Sequence, residues 1–253
     1  GYLEPFFGSG AVFFNKQPSR VETINDLDGA VVRFFRTCRE YPEALAYAVS
    51  LTPWSREEFL QSDFGEDCAD DAEAARQFLV RCWMTFGART KCKTGWRHTT
   101  GRKQDGGPDN PKLWRRLPAD ILEVADRIRD AQLENRPAID LISIYDGQQP
   151  LIYADPPYMM ETRTLNGDQY RHEMTNADHE ELLHALARAE SMVLLSGYDC
   201  EMYRDMLSGW RVETIKTRAE RAAIRTECLW INPAAMEHMA QLRIEDFVKE
   251  SSR

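Results

Sequence analysis

Short apolar runs bounded by turn residues recur toward both ends of the chain and alternate with helical periodicity. Tyr2 to Phe6, Val21 to Ile24, Leu151 to Ala154 and Met192 to Leu195 each precede a helix-like segment. Strands that alternate with helices in this way predict a mainly parallel sheet covered on both faces. The helix starting near Thr175 has the best-marked beginning. Thr175-Asn176-Ala177-Asp178 has capping-box spacing, and Leu182, Leu183 and Leu186 form an apolar stripe behind it. Trp210 to Lys216 and Glu227 to Asn232 predict two further strands joined by a polar loop, an antiparallel hairpin. A last helix is expected over Ala234 to Glu250, ahead of a polar Ser251-Ser252-Arg253 end.

The middle of the chain follows a different pattern. From about Pro42 to Asp130 the periodicity is mostly helical, with one loop rich in Gly, Lys and Arg (Lys91 through Pro111) and no clear strand. The expected organisation is an α/β domain made of residues 1–41 and 131–253, with a mainly helical domain, residues 42–130, inserted into it. A chain of 253 residues is long enough for such a core and a smaller lobe.

Composition narrows the class. Hydrophobic residues at 43% and charged residues at 29% are ordinary for a globular chain, and no apolar run approaches the roughly 20 residues that a membrane span needs. No secretory signal is visible, so a soluble cytoplasmic protein is expected. The chain opens on Gly1-Tyr2-Leu3 without a methionine, and an upstream segment is expected. Six scattered cysteines (Cys38, Cys68, Cys82, Cys92, Cys200 and Cys228) form none of the close pairs of a zinc or redox site, and are expected to be reduced packing residues. His179 and His184 nearly spell a zinc-protease helix, but a spacing of five sets them roughly 140° apart. No metal site is expected.

The formal charge is -9, which by itself argues against nucleic acid. Its distribution changes that picture. Nine basic residues lie between Arg89 and Arg116 (Arg89, Lys91, Lys93, Arg97, Arg102, Lys103, Lys112, Arg115 and Arg116) against Asp105 and Asp109. This local +7 leaves -16 on the rest of the chain. Interleaved with Trp96 and Trp114 and falling in the helical insertion, the cluster is a candidate for phosphate and base contacts; a solvated charged face is the alternative. Arg218, Arg221 and Arg225, around the hairpin loop, are a second candidate, or simply solubilise that loop.

Three motifs carry chemistry. In Glu4-Pro5-Phe6-Phe7-Gly8-Ser9-Gly10, two glycines at a strand-to-helix turn allow a ligand close to the backbone, although the spacing is not that of a dinucleotide fingerprint. Asn25-Asp26-Leu27-Asp28 follows the second strand, where an acid can accept ribose hydroxyls or can cap the helix beginning near Gly29. Ile152-Tyr153-Ala154-Asp155-Pro156-Pro157-Tyr158 is the most informative. Two prolines fix the chain as it leaves a buried strand, presenting a carboxylate, a carbonyl and an aromatic ring in one rigid turn. Such a turn suits a planar heterocycle bearing an amino group, because both N–H bonds find acceptors while the ring stacks. Tyr170 and His172, in the polar loop beyond Tyr158, could close over such a ring or belong to an ordinary surface loop.

The ordered set of EPFFGSG, NDLD and YADPPY, with an insertion between the last two, resembles the Dam-like alpha group of DNA adenine-N6 methyltransferases. The resemblance runs from Tyr2 to about Pro233. It implies a seven-stranded Rossmann-like sheet ending in an antiparallel hairpin, an inserted target recognition domain, double-stranded DNA as substrate and S-adenosyl-L-methionine as cofactor, in an enzyme of prokaryotic or phage type. By the same resemblance Pro5, Phe6, Gly8 and Gly10 line the cofactor site with Asp155 at its border, and Asp26 holds the ribose. Asp155 and the Pro156 carbonyl accept the N6 hydrogens of a flipped-out adenine on which Tyr158 stacks. Arg89, Lys91, Lys93, Arg97, Arg102, Lys103, Arg221 and Arg225 are the expected DNA contacts. Where relatives often carry an Asp-Phe pair after the third strand, this chain has Pro137-Ala138 after Asn135-Arg136, so that cofactor contact is not carried over. Cytosine-N4 enzymes commonly have Ser, and glutamine enzymes Asn, at the Asp155 position, which ranks both below adenine. A DNA-binding homologue with an impaired cofactor site is the other alternative. The motifs specify neither a target sequence nor a restriction endonuclease partner.

Overall fold

A computed structural model describes residues 1–62, 68–85, 95–98, 110–159, 171–218 and 224–241, apart from the side chains of 216–218 and 224–225. Seven strands, β1 (Tyr2–Glu4), β2 (Glu22–Asn25), β3 (Gln132–Glu134), β4 (Leu151–Ala154), β5 (Met192–Tyr198), β6 (Arg211–Arg218) and β7 (Ile224–Ile231), form one sheet in the order β3-β2-β1-β4-β5-β7-β6. β1 pairs in parallel with β2 and β4, and β4 with β5, whereas β7 runs antiparallel between β5 and β6. The fold is thus the expected Rossmann-like α/β sheet with an antiparallel end hairpin.

By contacts the chain divides into two compact units, Gly1–Leu27 with Arg136–Gly167 and Glu173–Arg253, and Asp28–Asn135 with Asp168–His172. In the first, α1 (Ala11–Asn15) follows β1. The second carries α2 (Gly29–Glu40), α3 (Pro42–Leu51), α4 (Arg56–Gln61), α5 (Asp71–Met84), α6 (Asn110–Trp114) and α7 (Leu117–Ile128), so the described residues in the middle of the chain are mainly helical, as the periodicity predicts. There α2, α3, α5 and α7 pack on one another. Phe34 stacks on Phe78 at 5.3 Å, and the buried Trp114 indole donates to the Thr52 carbonyl at 2.8 Å.

Back in the first unit, α8 (Ala138–Tyr145), α9 (Asn176–Arg188) and α10 (Glu201–Met206) pack in sequence, α9 against both others. Alternation along the strands divides the sheet. Leu3, Ile152, Ala154, Val193, Leu195, Cys228 and Trp230 join Leu182, Leu183 and Leu186 of α9 in one buried apolar cluster. The intervening positions point to the other face. The predicted capping box is present at the start of α9, where Thr175 accepts from the Asp178 backbone and Asp178 accepts from the Thr175 backbone.

β1 is shorter than its apolar run because Pro5 has no N–H to give and the Phe7 N–H turns to the Asn25 carbonyl at 2.8 Å. β3, three residues of mostly polar character, carries too little pattern to be read from periodicity. Helix continues over 233–241; the rest of the predicted last helix lies outside the described residues.

Asn232, 3% exposed, ties the hairpin to the sheet. Its Oδ1 accepts from the Val193 and Ala235 backbones at 3.0 and 2.9 Å, and its Nδ2 donates to the Ser191 carbonyl at 2.8 Å. Asn232→Ala leaves those buried groups unpaired and is expected to destabilise the protein by about 2–4 kcal/mol, read from the midpoint of urea unfolding. An unchanged midpoint would remove Asn232 as the tie.

Candidate active site

The parallel strands β1 and β4 lie side by side at the point where strand order reverses, the position at which open α/β sheets bind ligands beyond their carboxyl ends. The two most informative sequence motifs leave these two strands at that edge.

After β1 the chain turns sharply. The Gly10 N–H donates to the Phe7 carbonyl at 2.7 Å, and Gly10 itself, with φ +68°, precedes α1. A Cβ there would lie 2.5 Å from both the Phe7 and Phe14 rings, so both backbone and packing require glycine. Gly8 differs: its φ is +49°, but the space where a Cβ would stand is open. Its N–H donates to Asp26 Oδ2 at 2.7 Å, which joins the glycine turn to the end of β2. Pro5 is buried, Phe6 half-buried, Gly8 exposed and Gly10 buried. Asn25, 1% exposed, braces the same turn. It donates to the Pro5 and Arg136 carbonyls at 2.8 and 3.1 Å and accepts from the Arg136 backbone at 3.0 Å. Of the two acids offered by the second motif, Asp28 is the helix cap, accepting from the Ala30 N–H at 2.9 Å, and Asp26 is the one turned to the glycines.

After β4 come Asp155, buried Pro156 and half-buried Tyr158. The Tyr158 hydroxyl lies 3.2 Å from Ser196 Oγ, and its ring meets the Tyr198 ring edge-on, 4.6 Å between centroids at 63°. The Asp155 carboxyl lies among the side chains of Ser196 and Tyr158, which favour its charged form, and Ser196 acts in the same direction on Tyr153. Register accounts for this grouping. Tyr153 pairs with Leu194, and Tyr198 with Glu227, so Tyr153, Ser196, Tyr198 and Glu227 share the sheet face opposite the apolar cluster. Tyr2 and Glu4 of β1 lie on that face as well.

The face is acidic, buried at Tyr2 and Glu4 and half-buried at Tyr153, Asp155, Ser196, Tyr198 and Glu227. Burial raises the Asp155 carboxyl above the usual carboxylate range, the Ser196 and Tyr158 hydrogen bonds pull it back, and the charge of Glu227 pushes it up. Glu4, 2% exposed, is pushed up to about 7. Burial dominates, the Tyr2 hydroxyl donated at 2.6 Å opposes it, and the charge of Asp155 adds to it. Lys16, ion-paired with Glu22, sits 4.1 Å over the Tyr2 ring and lowers Glu4 slightly.

The structure therefore brings Pro5, Phe6, Gly8, Gly10, Asp26, Asp155, Pro156 and Tyr158 into one unit, at one edge of its sheet. Glu4, Ser196, Tyr198 and Glu227 join them on that face without having been singled out individually. A signal for two of these existed: Ser196 and Tyr198 interrupt the apolar run of β5. Of the expected DNA contacts, Arg97 is half-buried, with its N–H donating to the Met84 carbonyl and its carbonyl accepting from the Trp54 indole. Lys112, Arg115 and Arg116 are exposed. Arg218 and Arg225 lie in β6 and β7, while Arg89, Lys91, Lys93, Arg102, Lys103 and Arg221 lie outside the described residues, as does Tyr170. His172 is exposed. His179 is fully buried with Nδ1 3.1 Å from the Tyr203 hydroxyl, whereas His184 is exposed beside Glu180. Among the described residues no cluster of His, Cys, Asp or Glu could hold a metal, and no helix is long and apolar enough to cross a membrane.

A Rossmann-like sheet closed by an antiparallel hairpin, with a glycine turn after β1 and an acid-Pro-Pro-Tyr turn after β4, defines the methyltransferase class. Within it, the D12 class N6 adenine-specific DNA methyltransferase family matches residues 1–224, and the chain belongs to that family. Its activity is methylation of adenine N6 in DNA, and the family implies S-adenosyl-L-methionine as the methyl donor. The residues fit such a donor: open space above Gly8, a carboxylate at the end of β2, and a buried acid at the end of β1 and a half-buried one after β4 that suit a cationic ligand.

The Glu4 carboxyl makes stability depend on pH in a definite direction. Its folded value, about 7, lies above its ordinary 4.5, so the folded state is favoured while Glu4 is protonated. That contribution is complete below about pH 4.5 and is lost as pH rises through about 7. Glu4→Gln is therefore expected to gain on the parent protein, by on the order of 1–3 kcal/mol, between about pH 5 and 8 in denaturant titrations. Parallel pH profiles for the two proteins would contradict this.

Proposed function

We propose that this enzyme transfers the methyl group of S-adenosyl-L-methionine to the N6 of an adenine flipped out of a specific site in double-stranded DNA. Asp155, the Pro156 carbonyl and Tyr158 form the reacting centre. The observation that carries this reading is the Asp155 carboxyl, half-buried at the switch point, with the Ser196 and Tyr158 hydroxyls favouring its charged form and an aromatic pair beside it. The amino nitrogen of adenine is a weak nucleophile because its lone pair is delocalised into the ring. Two acceptors, Asp155 and the Pro156 carbonyl, draw its hydrogens and turn the lone pair out of the ring plane. When bound, the cofactor supplies an electrophilic methyl group on a sulfonium. The chain's contribution is positioning and electrostatics, and no covalent enzyme intermediate is needed.

Pro5, Phe6, Gly8 and Gly10 line the cofactor site, Asp26 accepts from its ribose, and Asp155 borders it. Positive charge arriving beside Glu4 and Asp155 favours their ionised forms, so cofactor binding and the ionisation required of Asp155 support each other. Tyr158 supplies the ring on which the extruded base stacks.

Residues 42–130 serve as the target recognition domain, with Arg89, Lys91, Lys93, Arg97, Arg102 and Lys103 on phosphates and base edges. Arg221 and Arg225 are assigned to phosphate contact as well; Arg225 lies in β7, and Arg221 falls between β6 and β7 in the sequence. Because β7 is antiparallel to β5, the hairpin strands β6 and β7 meet at the edge where β4 and β5 end, which supports phosphate contact close to the reacting centre. A cytoplasmic setting agrees with Cys38, Cys68, Cys82 and Cys228, free thiols among the described residues.

With labelled cofactor and duplex DNA, Asp155→Ala is expected to lower N6-methyladenine formation about a thousandfold while leaving DNA binding intact. In the parent protein kcat falls as pH drops through the raised Asp155 value, since only the ionised carboxylate accepts the amino hydrogens. Methylation at a tenth or more of the parent rate in Asp155→Ala would sink the assignment.

A further inference from the structure

Two features place Ser196 at the reacting centre. Its Oγ lies 3.2 Å from the Tyr158 hydroxyl, and because Ala154 pairs with Leu195 it stands on the rung beside Asp155, on the face that also carries Tyr153. Ser196 is also placed rigidly. It sits inside β5, paired with Leu229 on β7, between Leu195 and Gly197, which are buried on the opposite face. A Cβ at Gly197 would stand 3.1 Å from the Tyr203 ring, so the backbone of β5 is pressed against α10 at this level and has little room to shift.

A carboxylate at the end of a strand has two oxygens and a freely turning χ2. Accepting amino hydrogens from a base needs one oxygen held in a defined direction. A donor on a neighbouring strand that occupies the other oxygen supplies that constraint. We infer that Ser196 is a positioning residue for methyl transfer, its hydroxyl fixing the Asp155 carboxylate and the Tyr158 phenol in the arrangement that receives the adenine amino group. The inference rests on the Asp155 reading given above and adds to it a residue outside the three motifs.

The same geometry ties Ser196 to the pH dependence of the reaction. The described groups that interact with the Asp155 carboxyl are Glu4 from β1, Tyr153 from β4, Tyr158 from its own turn, Ser196 from β5, Glu227 from β7 and Tyr203 from α10. Ser196 and Tyr158 are the donors that favour the charged form, whereas the acids and burial oppose it. Loss of the Ser196 hydroxyl therefore moves the Asp155 value further up, and the acid limb of the rate profile moves to higher pH with it.

The test compares Ser196→Ala, Ser196→Thr and Asp155→Ala in single-turnover methylation of duplex DNA across pH, with cofactor affinity measured by calorimetry. Ser196→Ala is expected to lower the rate at neutral pH by about 10- to 100-fold. Its acid limb moves up in pH and its cofactor affinity stays within about twofold. Ser196→Thr, which keeps a hydroxyl on a strand, recovers the rate to within about threefold of the parent. Loss of activity in Asp155→Ala together with a parent-like rate and pH profile in Ser196→Ala overturns the Ser196 inference alone. So does a Ser196→Thr variant as slow as Ser196→Ala, since that marks a packing role. Activity retained in Asp155→Ala removes the reading of Asp155 and the role of Ser196 with it.

Discussion

An ionisable carboxyl kept out of water needs donors, and the arrangement around Asp155 follows from that need. Burial alone would drive the group neutral, and an acid that carries its proton offers one acceptor fewer to an amino group. Ser196 and Tyr158 oppose that drive by favouring the charged form. They stand near Asp155 because β4 and β5 are parallel neighbours in matching register, and because the turn after β4 carries the Tyr158 hydroxyl to Ser196 on β5. Register, turn and donor pair are thus three aspects of one constraint, and the apolar cluster on the opposite face holds the strands that satisfy it.

The acids on that face are not equivalent. Glu4 is buried beside a phenol and sits near neutrality, while Asp26 at the end of β2 holds the glycine turn through the Gly8 N–H. Asp28, two residues on, caps α2. Two acids from one short motif therefore do different work, one bracing the glycine turn and the other starting a helix. This division explains how an Asn-Asp-Leu-Asp segment satisfies both the capping and the ligand reading of the same residues.

Much of the fold was legible in the sequence because its elements are strongly patterned. Apolar runs at Leu151 to Ala154 and Met192 to Leu195 are β4 and the start of β5, and the capping box at Thr175 marks the start of α9. β3 was not legible from periodicity, since Gln132–Glu134 is too short and too polar to show alternation. The motif residues were legible because prolines and glycines announce unusual backbone. Ser196 and Glu227 were not, because their partnership with Asp155 depends on cross-strand register between segments 41 and 72 residues apart in the chain, and a single sequence does not record which rung faces which.

Asn232, described above as the tie between β5 and the hairpin, also acts as a ruler. A strand displaced by one residue exchanges its two faces. Were β7 to slide by one position along β5, Glu227 would turn toward the apolar cluster and Cys228 toward the carboxylates, leaving a charge in the core and a thiol beside Asp155. Because the Asn232 amide engages the backbones of both Ser191 and Val193, such misaligned sheets lose both of these bonds at once. A side chain at the far end of the strand from the reacting centre thereby excludes the misfolded alignments in which that centre could not assemble.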